Sequence, residues 1–454
     1  MTTAFVAPLP HLDPPRVPGL PLIGSLLDFR RDRFSLALRV ARQQGELAEL
    51  GMGFFKLLMV SSPAAAHEVL VEKADAFKKS AGLSIFAKPL LGEGLLTSER
   101  EVHKRQRRMM APVFAHKRIA GYGDVMVAKT ETAAKRIASR ATTDLADEMM
   151  RLTLDIVGKT LFDAELAGDA STIGTSLTQA MEQMMNALIR LVPLPPIVPT
   201  PGNLRMRRSV RSLDDVVFSM IRERRASGVD HGDMLGMLLA TRDADDGTEL
   251  GDREIRDQAM TIMLAGHETT ANALAWTFYL LARNPEVRER LEREVDAVLG
   301  DRTATTQDLP QLPFTLQALK EAMRLYPPAY VLGRTTTRDV TIGGARLAKG
   351  RVLLVNVAGI HRRPEAFANP DRFDPDRFAP ERERKLPQLA YMPFGAGPRV
   401  CIGNHFALME GHLILATLAR KLRFELLSTR PILAEPLVTL RPKGGVPVRV
   451  VARA

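Results

Sequence analysis

The chain has 454 residues, 45% of them hydrophobic and 25% charged. This is an ordinary globular composition, with enough length to bury a large core and enclose a cofactor-sized cavity. The formal net charge of +11 favours acidic partners. The scattered arginines and an aromatic content of only 5% argue against a nucleic-acid-stacking surface. The single cysteine, Cys401, excludes an internal disulfide framework and suits a reducing compartment. There is no signal-peptide pattern, and no run of ~20 apolar residues that would span a bilayer. The expectation is a cytoplasmic protein without a transmembrane anchor.

In chain order, residues 1–24 are proline-rich (Pro8, Pro10, Pro14, Pro15, Pro18, Pro21) and read as an extended segment preceding one domain over 25–454. Helical spacing covers 34–44. Residues 46–60 read as a hairpin turning near Gly51 and Gly53, and 63–73 as helix again. Residues 80–98 form an apolar, glycine-containing loop suited to walling a greasy ligand. Helices fill 99–241, broken by the prolines of 193–202, which follow a Met- and Leu-rich helix (Met181, Met184, Met185, Leu188) and read either as a surface crossing or as a lid. A long buried helix covers Asp252 to about Arg283. Helices follow at 285–300 and 313–325, then short strands at 338–358, a loop at 361–399, a last helix at 404–420 and a hairpin-like tail from Pro436. This predicts a mainly α fold with small β-sheets (α+β).

Cys401 lies in Phe394-Gly395-Ala396-Gly397-Pro398-Arg399-Val400-Cys401-Ile402-Gly403. Glycines there allow tight turns against a flat cofactor, and backbone amides with the following helix N-terminus favour a thiolate. Arg399 suits an acidic cofactor group. The plainer reading is a buried cysteine in a glycine-rich turn. Glu321 and Arg324, three apart, share a helix face and can pair. Ala265-Gly266-His267-Glu268-Thr269-Thr270 interrupts the long helix with glycine and a buried acid, costs that a sequence tolerates mainly where function requires them; a polar buried network is the alternative.

The cysteine segment resembles the haem-binding signature FxxGxRxCxG of the cytochrome P-450 superfamily, with every fixed position present. Glu321-Ala322-Met323-Arg324 is similar to the family's ExxR motif, and Arg377, within Phe373-Asp374-Pro375-Asp376-Arg377-Phe378, to the second arginine that joins it. Residues 265–270 resemble the oxygen-activation motif, and His103-x-x-x-Arg107 the haem-propionate motif of soluble bacterial members. Arg334 resembles a further propionate-binding position.

The resemblance implies a single haem-containing domain with the cytochrome P-450 fold and haem b (iron protoporphyrin IX), ligated by Cys401. Phe394, Gly395, Arg399 and Gly403 would shape the cofactor loop; His103, Arg107, Arg334 and Arg399 would meet its carboxylates. Ala265 and Gly266 would admit haem and oxygen. Thr269 would hold water, Glu268 would relay protons, and Glu321, Arg324 and Arg377 would keep the cysteine loop in register. His267 reads as a neighbour or a core residue, not an iron ligand. The implied reaction inserts one oxygen atom from O2 into a C–H or C=C bond of a lipophilic small molecule. Electrons would come from a separate ferredoxin or flavodoxin with its reductase. Candidate pocket residues are Leu83, Phe86, Leu90, Leu95, Met185, Leu188, Ala265, Val331 and Leu332. A peroxide-driven peroxygenase is the nearest alternative and a non-catalytic haem protein a more distant one.

Overall fold

The computed structural model describes residues 13–80, 85–164, 170–188, 197–229, 231–242 and 247–453, the side chains at 170–172 and 185–188 excepted. Its longer helices are α1 (Arg33–Gln43), α2 (Arg100–Met110), α3 (Gly123–Ala138), α4 (Leu145–Phe162), α5 (Ala170–Leu188), α6 (Pro201–Ser227), α7 (Asp252–Arg283), α8 (Pro285–Leu299), α9 (Pro313–Leu325) and α10 (Asn404–Lys421). The strands are β1 (Leu47–Met52), β2 (Phe55–Val60), β3 (Phe77–Lys79), β4 (Thr142–Asp144), β5 (Leu332–Thr336), β6 (Val340–Ile342), β7 (Ala345–Leu347), β8 (Val352–Val355), β9 (Leu422–Leu426), β10 (Ala434–Pro436), β11 (Leu440–Pro442) and β12 (Pro447–Ala452). The chain condenses into two compact units, each assembled from separated stretches.

The first unit takes residues 1–80, 330–370 and 386–400. Its centre is a five-stranded sheet in the order β1-β2-β8-β5-β3. Hairpin β1–β2 pairs Leu47 with Val60 through Met52 with Phe55, and β8 joins β2 in parallel. Leu58, Val60, Leu353 and Val355 bury one side chain layer with Val69 and Leu70. Leu50 and Met59 bury another with Leu36 and Val40 of α1. Asp32 caps α1 by accepting from the Ser35 N–H at 2.9 Å. The described part of the proline segment runs along β1, with Val17 N–H donating to the Glu49 carbonyl at 2.9 Å.

The second unit is mainly helical, taking residues 81–329, 371–385 and 401–454. From Ile255 to Leu281, α7 is buried at every position but three. Its first turn is closed by Glu254, which accepts from the Gly251 N–H. Helix α6 starts at Pro201, with Thr200 accepting from the Asn203 N–H at 3.2 Å. The proline-rich stretch 193–202 was expected to stay out of a helix interior, and Pro201 takes the first helical position, where its missing N–H needs no partner. The tail differs from the expected hairpin. β11 pairs with β10, whereas β12 is the centre of a sheet in the order β4-β12-β9. Of the described helices, none is long and apolar enough to cross a membrane.

Candidate active site

The three positions of α7 that keep accessible surface between Ile255 and Leu281 are Ala265, Gly266 and Thr269. Spaced at i, i+1 and i+4, they lie on one face of the helix. The Thr269 hydroxyl donates to the Ala265 carbonyl at 2.6 Å, so its lone pairs are left to accept. Gly266 has a second reason to be small: a Cβ there would stand 3.0 Å from a Val157 methyl of α4. His267 turns into the core. Burial, and then the Arg441 charge, depress its pKa to about 4, which leaves a neutral imidazole with Nδ1 unpaired.

Glu268 is buried beside this open face rather than on it. Its Oε1 accepts from the Thr439 hydroxyl at 2.6 Å and from Arg441 Nε at 2.7 Å, while Oε2 has no hydrogen-bond partner. Asn272 Nδ2 donates to Thr439 Oγ1 at 3.0 Å, and Trp276 Nε1 to the Leu440 carbonyl at 3.0 Å. One edge of α7, at 268, 272 and 276, is therefore fastened to β11 and the residue before it. Sequence reasoning missed Thr439 and Arg441; they lie more than 170 residues from Glu268, and no local pattern announces the pairing.

Cys401 precedes α10, whose N-terminus favours negative charge. Its side chain is solvent-accessible, yet burial is the strongest influence on the thiol and pushes its pKa up; the Gly403 N–H and the Arg107 charge pull it back. An accessible sulfur closely surrounded by protein lines an internal recess rather than the outer surface. On α2, His103, Gln106 and Met110 are buried, Arg107 is half-buried, and Lys104 and Arg108 face solvent. Arg105 reaches Glu254 of α7 at 3.1 Å.

In the other unit, Gly395 and Gly397 both adopt positive φ (71° and 67°), and a Cβ on Gly397 would fall 1.9 Å from the Leu70 carbonyl oxygen. No larger residue fits there. Gly403 differs from these two: its φ is −93° and a Cβ would meet only the Phe114 ring, at 3.5 Å, so conformation does not demand its glycine. Phe394 and Arg399 are half-buried. Arg334 lies on β5, a strand not expected from the sequence, and donates to the Gly333 carbonyl at 2.9 Å.

Glu321 and Arg324 are fully buried and joined at 2.6 Å and 2.8 Å. Arg377 Nε reaches Glu321 Oε1 at 3.3 Å, and the Asp374 N–H donates to the same oxygen at 2.9 Å. Arg324 also donates to the Arg372 carbonyl at 3.2 Å. The motif helix and the 372–377 loop are thus tied by one carboxylate.

Of the candidate pocket residues, Leu83 lies outside the described residues, as do the side chains of Met185 and Leu188. Leu90 is completely buried, and Phe86 and Leu95 nearly so; Val331 and Leu332 are half-buried. Only Ala265 is exposed, so Leu90 belongs to the packed core.

The donor set tests which cofactor fits. No cluster of three or more His, Cys, Asp or Glu able to hold a metal occurs among the described residues. One recessed sulfur near an arginine, together with a helix face opened by Ala265 and Thr269, suits a metal whose remaining ligands belong to a flat macrocycle with anionic edges. The residues present fit a haem, with Cys401 as the candidate iron ligand. Comparison with known proteins agrees: the chain matches the cytochrome P450 family over residues 14–447. It is 37% identical to cyclooctatin synthase of Streptomyces melanosporofaciens over 94% of this chain and 91% of that protein. Cyclooctat-9-en-7-ol 5-monooxygenase of the same organism is 36% identical, over 89% and 88% of the two chains. Pentalenene oxygenase of Streptomyces avermitilis is 34% identical, over 88% and 86%. The chain belongs to the cytochrome P450 family and is a haem-dependent monooxygenase.

Proposed function

We propose that the chain uses haem b to insert one oxygen atom from O2 into a C–H or C=C bond of a lipophilic small molecule, with electrons delivered by a separate ferredoxin- or flavodoxin-type protein. The observation that carries this reading is the open stripe Ala265-Gly266-Thr269 on an otherwise buried helix, flanked by a buried acid. The names of the relatives denote an alkene and an unsaturated alcohol as compounds acted on, which favours an apolar cyclic substrate with few polar groups. The whole chain from residue 25 would work as one haem-binding domain, preceded by the proline-rich segment.

When bound, haem supplies the oxygen-activating redox chemistry. Cys401 would bind it as a thiolate, steadied by the Gly403 N–H and the Arg107 charge. His103, Arg107, Arg334 and Arg399 would hold its carboxylates, with Phe394, Gly395 and Gly403 forming the loop against it. Ala265 and Gly266 leave room above the helix. The Thr269 hydroxyl, donating to the Ala265 carbonyl, would accept a hydrogen bond from water and hold that water at the open face. Glu268, oriented by Thr439 and Arg441, would relay protons from solvent to that water through its unpaired oxygen. Glu321, Arg324 and Arg377 would brace the segment leading to the cysteine loop.

Reconstitution with a surrogate ferredoxin, its reductase and a panel of cyclic alkenes and alcohols tests the reading. The expected result is reductant-dependent hydroxylation or epoxidation, abolished in Cys401→Ser together with the thiolate-type carbon monoxide spectrum. Product formed only from added peroxide would favour the peroxygenase alternative. A thiolate spectrum with no turnover of any compound would favour a non-catalytic haem protein.

A further inference from the structure

Helix α4 packs against α7 at the segment that carries Gly266, Glu268 and Thr269, and it makes a polar contact there that the reading above leaves unused. Thr153 of α4 is completely buried, and its Oγ1 lies 2.9 Å from the His267 carbonyl oxygen of α7. The same Oγ1 stands 2.9 Å from the Met149 carbonyl oxygen and 3.3 Å from that of Met150, both in its own helix. A hydroxyl has one proton to donate, so these acceptors share it.

Other buried helical threonines show the ordinary arrangement. Thr130, Thr160, Thr261 and Thr277 each donate to the carbonyl four residues earlier at 2.6–2.7 Å. In Thr153 that local bond is longer, and an equal one reaches a different helix. A carbonyl oxygen has two lone pairs, so the His267 oxygen accepts from Thr153 without giving up its place in the helical ladder. Val157, four residues further along α4 and on the same face, adds a steric contact: a Cβ on Gly266 would stand 3.0 Å from one of its methyls. Thr153 and Val157 therefore meet positions 267 and 266 of α7, immediately before Glu268 and Thr269. The valine limits how far α7 turns toward α4, and the hydroxyl holds the peptide that joins His267 to Glu268.

We propose that Thr153 is a positioning residue for the oxygen reaction, its hydroxyl tethering the His267 carbonyl and so fixing the backbone from which Glu268 and Thr269 project. For its consequence in turnover the inference rests on the monooxygenase reading; the tether itself rests on the α4–α7 geometry. Thr153 touches no reacting atom and passes no proton. A packing role alone would need only a side chain of this shape, which valine supplies. A tether needs the hydroxyl, which serine supplies.

Backbone hydrogen exchange in the substrate-free holoenzyme is the first test, with no turnover required. In Thr153→Val the amides of residues 267–272 should exchange several-fold faster than in the parent, while Thr153→Ser stays close to parental rates and α8 is unchanged in both. Parental exchange of 267–272 in Thr153→Val overturns the proposal. The second test is turnover. Thr153→Val should lower product per O2 consumed several-fold with KM unchanged, and Thr153→Ser should restore most of the loss. Unaltered coupling in Thr153→Val, or a loss that serine does not restore, also overturns it. Should Thr153→Val fail to take up haem, Thr153→Ala against Thr153→Ser makes the same comparison, and equal exchange and coupling in those two count against the tether. A parent enzyme that turns over no substrate, alongside faster exchange in Thr153→Val, would sink the monooxygenase reading and leave the tether standing.

Discussion

At the scale of single residues, Thr269 separates a structural hydroxyl from a working one. Threonine in mid-helix commonly bonds back to the carbonyl four residues earlier, as Thr269 does to Ala265 at 2.6 Å, and removing that bond alone costs about 1 kcal/mol or less. Thr269→Ala is therefore expected to leave the fold and haem content intact while diverting oxygen to peroxide instead of product. The ratio of peroxide to product measures this, and an unchanged ratio would leave the hydroxyl a helix-packing group. Buried histidines make a separate prediction. His412 Nε2 lies 2.9 Å from the Leu312 carbonyl oxygen, and since that oxygen only accepts, the ring nitrogen donates. Burial holds both His267 and His412 at a pKa of about 4, below the ordinary 6.5. Between those values the unfolded chain binds protons that the folded chain refuses. Stability is complete above about pH 6.5 and declines as the pH falls toward 4, by about 3 kcal/mol for each histidine. Urea midpoints followed from neutral to about pH 5 should fall steeply, and His412→Gln, which keeps a donor for Leu312, should flatten the slope.

Among elements, the tie between α9 and the 372–377 loop matters most, because a single carboxylate holds four donors. Glu321 meets Arg324, Arg377 and the Asp374 N–H in a fully buried setting. Removing one member of such a cluster strands the others without solvent, a loss of about 3–5 kcal/mol. Glu321→Ala should thus unfold at a much lower urea concentration than the parent, and should reach the cell largely without haem. A change of under about 1 kcal/mol would mean the cluster contributes little. Elements of this kind also mark what can be read from sequence. The span of α7 and α9, the β1–β2 hairpin and the helix after Cys401 follow from periodicity, capping residues and punctuating prolines. β5 was not legible, since Leu332–Thr336 alternates weakly and owes its strand form to β8 and β3 on either side. The same holds for the tail, where β11 and β12 find partners remote in sequence instead of each other. Within the site, the motif positions were legible because their spacing is local. Arg441 and Thr439 were not, because only tertiary packing brings them against α7.

Over the whole molecule, the net charge of +11 and the exposed basic face of α2 bear on the proposed ferredoxin-type electron donor. Arg107 lies close enough to Cys401 for its charge to act on the sulfur, and the same helix presents Lys104 and Arg108 to solvent. Lys104 is partly satisfied by Glu101 at 2.8 Å, an exposed pair of little stabilising value, which leaves the basic face available for longer-range attraction. Reduction by an acidic ferredoxin should therefore slow as ionic strength rises through physiological values, where exposed charges are screened beyond about 8 Å. The Lys104→Glu/Arg108→Glu double variant should cut the second-order reduction rate by about tenfold or more at low salt, since steering fields change association by 10–10³-fold. Neither change touches His103 and Arg107, the residues proposed to hold the haem, so chemical reduction and substrate affinity should stay at parental values. Stopped-flow reduction at several salt concentrations distinguishes the outcomes: a rate indifferent both to salt and to the charge reversal would place donor docking on another face and leave the basic stretch of α2 as a solvated helix surface.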